Sequence, residues 1–336
     1  MPTYVVTGGA GFIGSNFVRL ALMAMPDLRI VNIDLLTYAG NLENLEGVPE
    51  ARHTFIRADV TDVEAMSLAV PEGADAVINF AAETHVDRSI LAPLAFARTN
   101  VLGTQVLLDA ARAKGVRRFL QVSTDEVYGS LSPGVAPFTE DHPLAPSSPY
   151  AASKAGADLL VLAAHRTYGQ DAVITRCSNN YGPYQFPEKL IPLMLSNALE
   201  DKPLPVYGDG RQVRDWIYTE DHSRAILAAV MRGRPGRIYN IGARSERPNI
   251  DVVSEILRQL GKPDSLIRYV KDRPAHDRRY AIDPSQAEKE LGWRPEMTFE
   301  DGLARTIRWY RDHAAWWRRV RDGSYREFYD KWYGGR

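Results

Sequence analysis

The sequence predicts an α/β protein built on a doubly wound parallel sheet, followed by a smaller mixed α/β region toward the C-terminus. Short apolar runs alternate with longer helical patterns through the first half of the 336 residues. Strands separated by helices pair in parallel through right-handed crossovers. A glycine-rich turn joins the first strand to the first helix. After Ser178 the alternation breaks up around Pro183, Pro187, Pro192, Pro203 and Pro205, so shorter pieces are expected there.

Taken in order, strands are expected at 4–7, 30–34, 54–58, 76–80, 119–123 and 172–177, each an apolar run of strand length. Helices are expected at 12–25, 99–114 and 150–168. Ser148 and Pro149 supply an N-cap and a first helical residue for the last of these. Further on, 216–218 and 237–241 read as strands around a helix at 221–231, and the chain is expected to return to the sheet over about 213–241. The tail from Trp309 to Tyr333 mixes aromatic and basic residues at helical spacing, which suits packing on the body.

Composition excludes several classes. A net charge of −1 offers no basic field for nucleic acid. One cysteine allows neither a disulfide framework nor a zinc spacing, so no metal site is expected. Cys177 lies in a strand-like run and reads as a buried structural thiol. No apolar run approaches the ~18 residues of a membrane span, and no leader precedes the first strand. A cytoplasmic protein with no membrane partner is the expectation.

The run Thr7-Gly8-Gly9-Ala10-Gly11-Phe12-Ile13-Gly14 follows the first strand and opens the first helix. Gly8, Gly11 and Gly14 permit a tight turn, close approach to a pyrophosphate and close helix-on-strand packing, the Rossmann arrangement. The helix N-terminus offers unpaired N–H groups to phosphate. Asp34 ends the second strand, 20 residues after Gly14. A carboxylate there accepts from ribose hydroxyls and repels a 2′-phosphate, so NAD is preferred to NADP. Asp59 and Val60 are placed to meet the adenine, although Asp59 also suits a helix N-cap. Ala81, Ala82, Glu83 and Thr84 follow the fourth strand and would pass under the nicotinamide half.

Two further motifs carry the chemistry. Tyr150 and Lys154, four apart near the start of a helix, share one face. A phenol of pKa ~10 is a poor base at neutral pH, and a nearby ammonium would favour its phenolate. Thr124, Asp125 and Glu126 end the fifth strand. A hydride transfer needs no carboxylates, whereas elimination of water needs a base at one carbon and an acid at the next. The plain alternative is a turn with helix-start charges.

These segments resemble the extended short-chain dehydrogenase/reductases, and within them the dTDP-glucose 4,6-dehydratase family. The likeness covers nearly the whole chain and rests on TGGAGFIGSNF, LLTYAGNLENL, FAAETHVDRSI, STDEVYGS, SPYAASKAGADLL, RCSNNYGPYQFPEKLIPLM, PVYGDGRQVRDWIY, Asn249 and RPAHDRRYAID. The resemblance implies an NAD-binding domain over 1–178, rejoined around 213–241, and a nucleotide-sugar-binding region over 179–336. It adds Phe12, Ile13, Leu35, Thr37, Thr99 and Asn180 to the cofactor contacts. For the reaction it implies C4 oxidation with Tyr150 as base, C5 deprotonation by Glu126, protonation of the departing C6 hydroxyl by Asp125, and hydride return to C6. Thr124 would hold the 4-oxygen and Asn179 the sugar. Lys189, Leu190 and Pro205 to Tyr207 would frame the nucleoside. Arg214, Asn249, Arg273 and His276 would hold the diphosphate and base, and guanidinium forks suit that task in a near-neutral protein. His85 is implied as a substrate contact, with a structural histidine as its alternative. Thr84 and Ala275 stand where the family more often has Ser and Gly. A UDP-sugar 4-epimerase shares the glycine and Tyr/Lys motifs but has small or hydroxyl residues in place of the Asp-Glu pair. Finally, the apolar faces of 99–114 and 150–168, with Val101, Val106, Leu107, Leu108, Leu159, Leu160 and Leu162, suggest a homodimer through a four-helix interface.

Overall fold

The computed structural model describes residues 1–321 apart from Arg273 and Ala275. Its strands are β1 (Thr3–Thr7), β2 (Arg29–Asp34), β3 (His53–Arg57), β4 (Ala76–Asn79), β5 (Phe119–Thr124), β6 (Ala172–Cys177), β7 (Asn179–Tyr181), β8 (Leu204–Tyr207), β9 (Val213–Tyr218), β10 (Ile238–Ile241), β11 (Glu246–Pro248) and β12 (Ile267–Val270). Seven of them pair in parallel in the order β10-β6-β5-β4-β1-β2-β3. Every residue of β4, β5 and β6 is buried, because helices cover both faces of a doubly wound sheet. Order reverses between β1 and β4. Crevices for ligands open at such a switch point, at the carboxyl ends of the strands.

The long helices form where the sequence places them. Phe12–Ala24 follows the glycine turn. Pro149–Tyr168 starts with Ser148 Oγ accepting from Ala151 N at 3.1 Å and ends at Gly169 with φ 66°. The helix expected at 99–114 is regular only over Gly103–Ala113, after a wider π-type turn at Ala97–Leu102. Val106, Leu107 and Leu108 point into the protomer's own core, so they are not free for a second subunit. What this helix pair and the turn before it leave outside is Leu102, 48% exposed, with Leu159 and Tyr168, each 57% exposed.

The return to the sheet differs in detail from the expectation. Residues 213–218 form a strand, but β9 joins β7 and β11 in a separate small sheet. The reason is pairing: the outer edge of β6 is taken by β10, with Ile238 opposite Ile174. Within this stretch β10 and the helix Thr219–Arg232 before it rejoin the main body, and Ile217 of β9 reaches the same core. A further pair, β8 with β12, lies beyond.

This C-terminal part has its own core, in which Leu195, Ile256 and Leu303 pack with Trp216, Tyr310, Trp316 and Trp317. The described part of the aromatic tail therefore packs on the body; residues 322–333 lie outside the described residues. Two bonds in series through Asn44 tie this core back to the glycine loop. Trp316 Nε1 donates to Asn44 Oδ1 at 3.0 Å, and Asn44 Nδ2 donates to Ala10 O at 2.8 Å. Among the described residues no helix is long and apolar enough to cross a membrane.

Candidate active site

One cleft runs along the carboxyl ends of β1, β2, β4, β5 and β6 across the switch point. At its β1 side the glycine loop is held by backbone contacts that need small residues. Gly8 has φ +70°, and a Cβ there would lie 2.6 Å from Ala81 N; one on Gly14 would lie 2.3 Å from Gly8 O. Gly11 differs: the only atom near an added Cβ is Gly8 O at 3.3 Å, so its other side is open where it lines the cleft. No side chain caps the helix that begins at Phe12. Its first N–H groups thus lack an internal partner, the arrangement that receives phosphate.

Asp34 is 9% exposed and also lines the cleft. Its Oδ2 accepts from Ala10 N at 3.0 Å and its Oδ1 from Leu36 N at 2.8 Å. Burial raises its pKa, and those two N–H groups oppose the rise. Asp34 therefore braces the loop as well as facing the crevice. Phe12, Ile13, Leu35, Thr37, Val60, Ala81, Ala82, Glu83, Thr84, Thr99 and Asn180 line the same cleft. So does Asp59, which accepts from Thr61 N and Oγ1, both at 2.9 Å; the N-cap of the next helix is Asp62. The alternative reading of Asp59 as that cap is corrected accordingly. An uncapped helix start, a bare glycine face and a carboxylate at the end of β2 fit a dinucleotide with free ribose hydroxyls.

At the end of β5, Thr124 caps a single turn, Asp125–Tyr128, with its Oγ1 accepting from Glu126 N at 3.3 Å. The two carboxyls leave that turn in different directions. Glu126 is half-buried and lines the cleft. Asp125 is 2% exposed and sits behind the lining; its Oδ1 accepts from Thr124 Oγ1 at 3.3 Å, and its Oδ2 has no partner among the described residues. Burial, then Glu126 and Asp215, push the Asp125 carboxyl well above the usual range, against the pull of Arg214. Burial and both neighbouring carboxylates favour the neutral form of the Asp125 carboxyl beside Glu126.

Tyr150 and Lys154 line the cleft and are both buried. The ammonium has a backbone partner of its own. Lys154 Nζ donates to Val122 O at 2.7 Å, and burial lowers its pKa. The Tyr150 phenol is pushed well above its ordinary value by burial and then by Glu126, opposed by a hydrogen bond to Thr124. Low dielectric and a neighbouring carboxylate both disfavour the phenolate.

The substrate-side residues divide. Asn179, Lys189 and Leu190 line the cleft, with Lys189 Nζ donating to Thr84 O at 2.7 Å. Pro205, Tyr207, Arg214, Asn249 and His276 do not line it. Tyr207 donates to Asp87 at 2.9 Å and its ring meets His276 at 5.9 Å. His276 bonds Asp272 at 2.6 Å. Arg214 donates to Asp277 O at 3.0 Å and lies 4.2 Å over the Tyr280 ring. Pro205 pairs with Arg268 across β8 and β12, and Asn249 opens the helix Asn249–Leu260. His85 is fully buried before the short helix Val86–Leu91, and burial lowers it to about 4, so it stays neutral. Arg273 and Ala275 lie outside the described residues.

Sequence reading missed several lining residues: Cys177, Ser178, Gln185, Phe186, Glu188 and Trp216. The segment QFPEKL held the only visible signal, a carboxylate set among prolines and aromatics. Glu188 accepts from Tyr38 Oη at 3.0 Å and from Arg88 at 3.2 Å, and the Arg88 guanidinium lies 3.9 Å over the Tyr38 ring. That trio ties the loop after β2 to the loop before the helix Leu190–Leu199. Cys177 is buried as expected, and burial pushes its thiol up to about 12.

A doubly wound sheet, a glycine loop at the switch point and a Tyr/Lys pair on one helix face define a dinucleotide-dependent short-chain dehydrogenase/reductase of the extended type. The family model described as GDP-mannose 4,6 dehydratase matches residues 5–306. A dTDP-glucose 4,6-dehydratase of Xanthomonas campestris pv. campestris (strain B100) is 53% identical, with 97% of this chain and 98% of that protein covered. The solved structure of a dTDP-glucose 4,6-dehydratase from Streptomyces venezuelae, with NAD and TYD bound, is 51% identical with TM-score 0.92, covering 95% of this chain and 99% of that one. A UDP-glucose 4-epimerase of Thermotoga maritima, solved with UDP-glucose, is 29% identical with TM-score 0.85, covering 93% and 99%. The chain belongs to the dTDP-glucose 4,6-dehydratase family of the extended short-chain dehydrogenase/reductases.

Proposed function

We propose that this chain removes water from dTDP-glucose to give the 4-keto-6-deoxy sugar nucleotide, as a cytoplasmic homodimer with NAD as its resident cofactor. The observation that carries the reading is the unequal carboxyl pair: Glu126 at the cleft, and Asp125 buried behind it, where burial and Glu126 favour its acid form. Elimination needs a base and an acid on adjacent atoms, and environments that separate two carboxyls assign those roles. In this reading residues 1–178, with the stretch around 213–241, form the cofactor half, and 179–336 the nucleotide-sugar half.

The residues that would hold NAD are the glycine loop, Asp34 to Thr37, Asp59, Val60, Ala81 to Glu83, Thr99, Tyr150, Lys154 and Asn180. NAD bound there would supply a hydride acceptor for C4 and a hydride donor for C6. The rest falls to the chain. Tyr150 takes the proton of the sugar 4-hydroxyl, and Thr124 holds the 4-oxygen. Once C4 is a ketone the C5 proton is acidic, and Glu126 removes it. Asp125 protonates the departing C6 hydroxyl. Lys154 fixes the strand end by binding Val122 O and orients the nicotinamide ribose. Asn179 and His85 hold the sugar, Lys189, Leu190, Pro205 and Tyr207 the nucleoside, and Arg214, Asn249, Arg273 and His276 the diphosphate and base.

Incubation with dTDP-glucose and mass spectrometry of the product decides the matter. A loss of one water is expected. An epimer of unchanged mass would instead point to the 4-epimerase reading, in which a protonated Asp125 has no task.

Two expectations accompany this. Asp34→Ala should weaken NAD binding and relax its preference over NADP, because the carboxylate both faces the ribose and braces Ala10 N. Titration with each cofactor measures it; equal binding of both by the unmodified protein would remove Asp34 from the ribose. Light scattering at micromolar concentration should give a dimer mass, because Leu102 and Leu159 leave apolar surface on neighbouring helices. A monomer would refute the four-helix interface.

A further inference from the structure

His222 sits on the helix Thr219–Arg232 and is 0% exposed. Its Nδ1 lies 2.8 Å from Asn180 Oδ1, while its Nε2 has no partner among the described residues. Asn180 lines the cleft together with Tyr150 and Lys154. The orientation of its amide follows from one neighbour: Asn180 Nδ2 donates to Ser178 O at 3.0 Å. A backbone carbonyl only accepts, so the nitrogen of the amide must face Ser178 and the oxygen must face His222. An amide oxygen only accepts as well, so Nδ1 must carry the hydrogen. Burial holds the imidazole down to about 3, so the ring is neutral and Nε2 keeps a bare lone pair in the interior. Such an unsatisfied nitrogen weakens a fold. An apolar residue would avoid the penalty, and what it would lose is the bond at Nδ1.

We propose that His222 is a positioning residue whose Nδ1–H holds the Asn180 carboxamide so that this side chain offers a hydrogen-bond donor to the cleft. The oxygen is engaged by His222 and one amide hydrogen by Ser178; the second meets only the weak acceptor of the Cys177 thiol, which a ligand oxygen can replace. The backbone of Asn180 is fixed separately, by Gln185 Nε2 donating to its carbonyl at 2.9 Å, so the effect of His222 is confined to the amide. The group that meets Asn180 is then an acceptor oxygen. This rests on the reading of the cleft as a dinucleotide site, which makes that oxygen one of the cofactor's.

The test has three parts. Nitrogen-15 NMR of the unmodified protein labelled at histidine should show His222 neutral, with its hydrogen on Nδ1, from about pH 5 to 8. Calorimetric titration of the cofactor-free protein with NAD should show His222→Leu weakened about 10-fold, the worth of one neutral hydrogen bond. His222→Asn, whose side-chain amide replaces the Nδ1 donor, should restore most of the affinity. His222→Leu should also lower turnover, by up to ~10²-fold if the displaced group misaligns the reacting atoms, with the KM for the nucleotide sugar unchanged and thermal stability equal or higher. A hydrogen on Nε2, wild-type NAD affinity in His222→Leu, or an Asn variant as impaired as the Leu one would overturn the proposal. An unmodified protein that binds NAD yet leaves dTDP-glucose intact would refute the dehydratase reading instead, and the NMR and calorimetry would still decide the role of His222.

Discussion

Glu126→Gln is expected to oxidise the sugar at C4 and then stop. The amide keeps nearly the shape of the carboxyl at the cleft wall but cannot take the C5 proton, and losing a general base lowers turnover by ~10²–10⁴-fold. Rapid mixing with dTDP-glucose should show the absorbance of reduced nicotinamide rising on the enzyme while the sugar retains its water. Tyr150→Phe should show little of that absorbance, because the first proton has no acceptor. A second effect follows from the charges. Glu126 is the leading charge that raises both Tyr150 and Asp125. Without it the phenol ionises more readily, so the pH profile of the oxidation step in Glu126→Gln should move toward acid. If the variant instead forms dehydrated product at the normal rate, Glu126 is only a helix-start charge.

Asp125→Asn should abolish most activity and yet stabilise the protein at neutral pH. The loss is again ~10²–10⁴-fold, since an amide cannot protonate the departing hydroxyl. The gain follows from linkage. The Asp125 carboxyl has an ordinary value of 3.8 unfolded and is raised well above that when folded, by burial first and then by Glu126 and Asp215. Between those two values the unfolded chain binds fewer protons than the folded one, so stability falls as pH rises through that window. Below the unfolded value the penalty is absent. Asn removes the ionisable group, so the stability advantage of the variant should grow from near pH 4 upward and level off above the folded pKa. Denaturant titrations across that range check it. A variant less stable than the parent at neutral pH would mean that the carboxyl is ionised in the fold and held by a partner.

The cofactor half was readable because its signals are local. A glycine loop after an apolar strand, Asp34 at the next strand end and Tyr150 four residues before Lys154 need no knowledge of distant partners, and all of these line one cleft. The substrate half was readable mainly through resemblance. Strands of three residues, such as β7 and β11, are too short to show alternation. The small sheet also exists only because β9 bridges segments far apart in sequence. Trp216 reaches the cleft through that long-range pairing, and Glu188 through its bonds to the distant Tyr38 and Arg88. The position of Lys154 illustrates the remaining gap. Spacing places the ammonium on the same helix face as the phenol, but only the fold shows it bonded to Val122 O.

The bond from Trp316 through Asn44 to Ala10 bears on how the molecule is made. A ribosome synthesises the glycine loop long before the residue that braces it, 272 positions separating Trp316 from Asn44. β10, which closes one edge of the main sheet, also emerges only after the whole small sheet strand β9 has appeared. Contacts of such separation form slowly, after long loops have closed. The brace behind the glycine loop therefore forms only after Trp316 has left the exit tunnel, and a chain truncated before Trp316 loses that bond at its opposite end.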